Sequence, residues 1–108
     1  NYQRTRTMTA FIPFLPRFRD AISLGVKTMT ARTRRYGEVG DTLRSKGFSI
    51  QLLELRRVRL GDVAENHYID EGCEDREEFV RIWNEIHPAR GFVPTDRVWL
   101  HVFRYLEE

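Results

Sequence analysis

The sequence predicts an α+β domain: a small, curved, mainly antiparallel β-barrel carrying two or three short helices. Three observations predict it. Strand-like and helix-like segments follow one another in the order β-α-β-β-β-α-α-β. The apolar parity shifts twice between Phe48 and Leu60, as it does in the bulged strands with which small barrels turn corners. One strongly amphipathic helix and one strand apolar on both faces provide the surface for a single core.

Taken in order, residues 1–7 are polar and basic and are expected to form a flexible arm, leaving 8–108 as one domain. "MTAFIPFL" reads as a short strand that Pro13 confines to a sheet edge or bulge. Pro16 to Leu24 is punctuated as a helix, with proline at its start and Gly25 at the left-handed C-cap position. Phe18, Ala21 and Ile22 form its apolar stripe. "GVKTMTAR" follows as a second strand, and "RRYGEVGD" as a loop. From Thr42 the chain is β-like. Phe48, Ile50 and Leu52 alternate, parity moves to Leu53 and Leu55, then returns at Val58 and Leu60, so two bulges are expected. "GDVAENHYIDEG" reads as a short helix or turn. Between Asp75 and His87, Phe79, Ile82, Trp83 and Ile86 fall at i, i+3, i+4 and i+7. Asp75 with Glu78 resembles a capping box, and Pro88 stops the helix. "RVWLHVFRYL" closes the chain as a central strand.

At 41% apolar and 31% charged residues, 108 residues suit one compact domain with a well-solvated surface. No apolar run is long enough to span a bilayer, and the first 16 residues lack signal-peptide features. The single cysteine, Cys73, excludes an internal disulfide and a multi-cysteine zinc site, which points to the cytoplasm. The net charge of +2 hides an asymmetry. Residues 1–60 carry 13 Lys/Arg against four Asp/Glu, whereas residues 61–108 carry five against 12. A basic face of this kind suits a phosphate backbone; mutual neutralisation of the two halves is the bland alternative.

"GVKTMTAR" concentrates the chemistry. Lys27 reads either as a solvated strand lysine or as a buried amine whose pKa falls on desolvation and beside cations. In the second case it can act as a base toward Thr30 as nucleophile. Strand alternation places Lys27 on the face opposite Thr28 and Thr30, so Lys27 and Thr30 cooperate only if the backbone between them is irregular; otherwise Thr28 is as well placed. Glu71, in "DEGCED", is either a solvated loop acid or the carboxylate that orients Lys27 or handles its protons. The phosphate-contacting candidates are Arg32, Arg34 and Arg35, with Arg56, Arg57 and Arg59 of "RRVR". His67, His87 and His101 lack metal-ligand spacing; His101 reads as a hydrogen-bonded core histidine, Trp83 as helix core, and Cys73 as an ordinary thiol.

The pattern G-x-K-x-x-T-x-R at Gly25, Lys27, Thr30 and Arg32, followed by Gly40-Asp41, resembles the ASCH domain, a relative of the PUA fold. Glu71-Gly72 ahead of the helix bearing Glu77, Glu78, Phe79 and Trp83 resembles it too, and the likeness spans about residues 9–105. The resemblance implies a PUA-like barrel with a cleft at the first motif and RNA, a nucleotide or a modified nucleoside as ligand. It further implies amide hydrolysis of an acylated pyrimidine nucleoside such as N4-acetylcytidine, with Lys27, Thr30 and Glu71 catalytic and Glu74 as the alternative acid. Thr28, Arg32, Arg34, Arg35, Arg56, Arg57 and Arg59 would contact substrate or RNA. No metal or other cofactor is required, and a monomer is expected. The rival expectation is a non-catalytic RNA-binding module, or a ribonuclease, using the same basic cleft.

Overall fold

The computed structural model describes residues 10–107, so the arm expected at residues 1–7 lies outside the described residues. Among the described residues five strands and three α-helices follow in the expected order: β1 (Ala10–Phe11), a 3-10 turn (Pro16–Phe18), α1 (Arg19–Ser23), β2 (Met29–Arg32), β3 (Thr42–Ser45), β4 (Phe48–Arg59), α2 (Leu60–Asn66), α3 (Arg76–Ile86) and β5 (Arg97–Leu106). The strands form one mixed sheet in the order β1-β3-β4-β5-β2. The β1–β3 pair is parallel and the others are antiparallel. As its pattern predicts, β5 lies inside the sheet, between β4 and β2. β1, next to Pro13, lies at an edge.

The expected barrel is not closed. Among the described residues β1 and β2 remain the two edges of the sheet. Pro13, just after β1, has no N–H to donate to a ladder, so strand pairing does not run on past it. A side chain spans the gap instead, because Arg32 Nη2 at the end of β2 donates to the Pro13 carbonyl oxygen at 2.6 Å.

Two apolar clusters occupy opposite faces of the sheet. Ile12, Ile22, Leu43, Phe48, Ile50 and Phe103 form one, beneath α1 and the chain entering it. The other packs α2 and α3, through Val63, Phe79 and Ile82, on Val98 and Leu100 of β5 and Ala31 of β2. This double burial corrects the expectation of two bulges in β4. One register shift occurs, between Leu52 and Glu54, and it leaves Leu53 exposed. Leu55 opposite His101 then shares the face of Leu52 opposite Phe103. Val58, opposite Val98, points to the other face, where the α2–α3 cluster covers it, so no second bulge is needed. At α3 the Asp75 side chain caps the Glu78 N–H at 2.8 Å, and Glu78 reaches back to the Glu74 N–H at 2.7 Å.

Candidate functional site

Lys27 reaches its position through an irregular link. Gly25 takes the left-handed conformation (φ +79°) after α1, and the Val26 and Lys27 N–H groups both donate to the Ala21 carbonyl, at 2.8 and 3.0 Å. Lys27 therefore precedes β2 and escapes strand alternation. The turn holding Glu71 docks alongside, because the Asp70 carbonyl accepts from both Thr28 N–H (2.8 Å) and Met29 N–H (3.0 Å). Gly72 makes the contact possible. Its φ is +90°, and an added Cβ would lie 3.2 Å from both Lys27 Cβ and Phe18 Cδ1.

The result is a buried ion pair, with Lys27 3% and Glu71 5% exposed. Lys27 Nζ donates to the Glu71 carbonyl oxygen at 2.6 Å, the Met29 carbonyl oxygen at 2.8 Å and Glu71 Oε1 at 3.2 Å. Three acceptors match the three protons of an ammonium group. The Phe18 ring lies 4.6 Å from the nitrogen. Burial lowers the pKa of Lys27, with Glu71 opposing; burial raises that of Glu71, with Lys27, Arg32 and the Ala31 N–H opposing. Each group is thus pushed toward its neutral form while its partner favours the charged one. Among the described residues, Glu71 Oε2 is buried with no hydrogen-bond partner.

Thr30 is 4% exposed and lines the same cavity, but its charged partner is not Lys27. Its Oγ1 accepts from Arg32 Nε at 2.9 Å, and Arg32 stacks between Phe14 and Tyr36, 5.0 and 5.4 Å from the ring centroids. Behind Thr30 stands fully buried His101. Its Nε2 accepts the Tyr36 N–H at 3.0 Å, while Nδ1 lies 3.0 Å from the Trp99 carbonyl oxygen and 3.3 Å from that of Thr30. This pattern requires the proton on Nδ1 and a neutral ring. Burial accordingly lowers the His101 pKa.

In front of Thr30 lies a cavity of about 260 Å³ at the open edge of β2, walled by Phe18, Phe79, Ile82 and Trp83 and rimmed by exposed Pro13, Thr33 and Ile86. Lys27, Thr30, Glu71 and Arg32 converge here. Glu74, the alternative acid, is exposed outside it. Thr28 is not part of the lining; its carbonyl accepts the Phe103 N–H in the β2–β5 ladder. Arg34 lies over Tyr36 at 4.3 Å, and Arg35 and Arg57 over Trp99 at 5.8 and 5.0 Å, all exposed. Arg56 points to the opposite face of β4 from Arg57 and pairs with Glu54 at 3.4 Å, and Arg59 lies opposite Arg97. Burial raises the pKa of Cys73, which also lines the cavity, to about 11, so its thiol stays protonated at neutral pH.

The sequence did not single out Phe14, Tyr36 or His87 as lining residues. The signal for the α3 wall was present but read only as core: the stripe Phe79, Ile82, Trp83, Ile86 faces both the core and the cavity. The described residues include no cluster of three or more His, Cys, Asp or Glu arranged to hold a metal, and no helix long and apolar enough to cross a membrane.

No family model and no curated protein matches the sequence. Solved structures do match in shape. Protein EF3133 from Enterococcus faecalis superposes with a TM-score of 0.70 at 15% identity, covering 92% of this chain and 81% of that one. The ASCH domain from Lactobacillus crispatus gives 0.62 at 16% identity over 89% and 79% of the two chains. A point mutant of the Zymomonas mobilis ASCH protein gives 0.62 at 16% identity over 89% and 68%. With the order of elements and the cavity at the edge of β2 in place, the chain has the fold of the ASCH domain.

Proposed function

We propose that this domain hydrolyses the amide of an acylated pyrimidine nucleoside such as N4-acetylcytidine. One observation carries the reading: a buried amine–carboxylate pair and a hydroxyl held by a guanidinium share one apolar-walled cavity. At about 260 Å³ the cavity falls just under the usual range of small-molecule pockets, which suits a single ring with a small substituent.

In this mechanism Lys27 first passes a proton to Glu71, a transfer that burial of both groups brings within reach. The neutral amine turns from its carbonyl partners toward Thr30 and takes the hydroxyl proton as Oγ1 attacks the acetyl carbon. The resulting oxyanion is met by Arg32 N–H groups not used on Thr30 and Pro13. The Glu71 carboxyl protonates N4, the C–N bond breaks and cytidine leaves. Water then attacks the acyl-threonine. Glu71 accepts the proton of water, Lys27 returns its own to Thr30 Oγ1, and acetate leaves with its proton passing to solvent.

Incubating the protein with N4-acetylcytidine and following cytidine and acetate release tests this. Wild-type turnover is expected, with a loss of at least about 100-fold in Thr30→Ala and in Lys27→Met. No turnover by wild type, or undiminished turnover in both variants, overturns it. Arg34, Arg35 and Arg57, held over Tyr36 and Trp99, favour a second reading as a non-catalytic RNA-binding module. In that case RNA affinity survives Thr30→Ala and falls with salt, by a slope of about −0.7 per phosphate contacted.

A further inference from the structure

A second concavity, of about 400 Å³, adjoins the first, and the two share Thr33, Trp83 and His87. The shared wall is built from aromatic rings, with His87 stacked on Trp83 at 4.1 Å between ring centroids. Beyond it the lining changes character. The cavity is walled by phenylalanine, isoleucine and tryptophan; the groove presents Arg57, Arg90 and Arg97.

The charge in this groove is uncompensated. Among the described residues Asp96 is its one acid, and Arg90 occupies both carboxylate oxygens, at 2.9 and 2.7 Å. Among the described residues neither Arg57 nor Arg97 lies within 4.0 Å of a carboxylate. Arg59 stands directly opposite Arg97 in the β4–β5 register, again with no acid in reach, and strand alternation puts Arg57 and Arg59 on the same face. Like charges directly opposite across a ladder are destabilising. Arg56, which does not line the groove, has its carboxylate partner. The Arg59–Arg97 pairing therefore costs stability, and among the described residues Arg57 and Arg97 lack an internal anion. Arg57 is also held in place, its guanidinium 5.0 Å from the Trp99 ring.

The size of the cavity bears on how an anion would be brought to the groove. A space of about 260 Å³ takes a pyrimidine ring with a small substituent, so the sugar must lie toward the rim, where Thr33 and His87 open onto the groove. We infer that the Arg57–Arg97 groove binds a phosphate carried by the nucleoside whose base enters the cavity, so that the ligand is a nucleotide, free or within an RNA strand, rather than a bare nucleoside. This deepens the reading of the cavity as a pyrimidine site and rests on it. A planar guanidinium forks well onto a phosphate, and two of them unpaired by carboxylates suit one phosphodiester or monoester.

The test compares equilibrium binding of cytidine, cytidine 5′-monophosphate, cytidine 3′-monophosphate and a short cytidine-centred RNA at low and high salt. In parallel, hydrolysis of N4-acetylcytidine is compared with that of its two monophosphates. At least one monophosphate should bind about tenfold or more tighter than cytidine at low salt, with the advantage shrinking as salt rises. The Arg57→Ala/Arg97→Ala variant should bind that monophosphate no better than cytidine while its cytidine affinity stays unchanged. If the RNA binds tighter still, the natural ligand is a strand; if it binds no better than the monophosphate, it is a free nucleotide. Equal affinity for cytidine and both monophosphates, a preference that survives in the double variant, or no binding of any of these probes overturns the inference. The two readings separate cleanly. A phosphate preference without turnover of any acetylated substrate retains the groove and removes the hydrolase. Turnover indifferent to phosphate, with binding equally indifferent, does the reverse.

Discussion

Two ion pairs in this molecule have the same separation and opposite physical meaning. Arg17 Nη2 and Glu85 Oε1, linking the 3-10 turn to α3, stand 3.2 Å apart with side chains about half exposed (49% and 52%). Lys27 Nζ and Glu71 Oε1 also stand 3.2 Å apart, with side chains 3% and 7% exposed. Water screens the first pair and competes with it, so its net worth is roughly 0–1 kcal/mol. The second has lost its hydration: the ammonium depends on the carboxylate and on two backbone carbonyls, and the carboxylate depends on the ammonium. Distance alone does not rank them. A chain that keeps a desolvated amine and acid at a cavity wall retains an arrangement that apolar residues would replace at little cost, and this points to chemistry rather than stability.

The sharpest way to break the contrast is to remove one partner. Lys27→Met leaves the Glu71 carboxylate buried and unpaired, and should cost about 3–5 kcal/mol in denaturant unfolding. Lys27→Met with Glu71→Leu should recover most of that loss while remaining inactive on N4-acetylcytidine. A double variant as unstable as the single one would show that the pair itself holds the fold. Gly72→Ala acts on the same pair through the backbone. The left-handed φ and the 3.2 Å contacts with Lys27 and Phe18 should cost about 1–2 kcal/mol, with a loss of turnover; wild-type melting and turnover would contradict the close approach.

His101 adds a pH dependence near the same cavity. Its pKa is lowered on folding from an ordinary 6.5, so below that value the unfolded chain binds the extra proton. The stability it contributes is fully present above pH 6.5 and declines as pH falls through 6.5 toward the folded pKa, by up to about 1.4 kcal/mol per pH unit. Subtracting the stability–pH curve of His101→Gln from that of wild type isolates this slope. A flat difference below pH 6.5 would mean that the ring is not held neutral. The smallest effect belongs to the surface pair: Arg17→Ala or Glu85→Ala should change stability by no more than about 0.5 kcal/mol. A larger loss would abolish the distinction between the two pairs.

Much of the fold was legible along the chain, because its signals are local. Gly25 after α1, Asp75 with Glu78 before α3, and Pro88 behind it mark helix ends through cap chemistry that acts within four residues. β5 reads as central because both of its faces carry apolar side chains. β4 was harder. Its second parity change, at Val58, looked like another bulge because a sequence does not say whether the far face of a strand is covered; here α2 and α3 cover it.

The site was legible in its members and not in its contacts. Lys27, Thr30, Arg32 and Glu71 could be named from residue type and motif. That Glu71 rather than Glu74 meets the amine depends on the Asp70 carbonyl docking on the start of β2 and on the backbone twist at Gly72. That Arg32 rather than Lys27 holds the Thr30 hydroxyl follows from two side chains on one face of a regular strand, once Lys27 is known to lie before it.

By itself the sequence determined the kinds of element, their order, the ends of the helices and the presence of the chemical groups, since periodicity and capping act over a few residues. Only the tertiary structure decided that the sheet stays open, that the α3 stripe walls a cavity, and that an amine and an acid 44 residues apart lose their water together. Desolvation is a property of everything packed around a group, and no stretch of neighbouring residues encodes it.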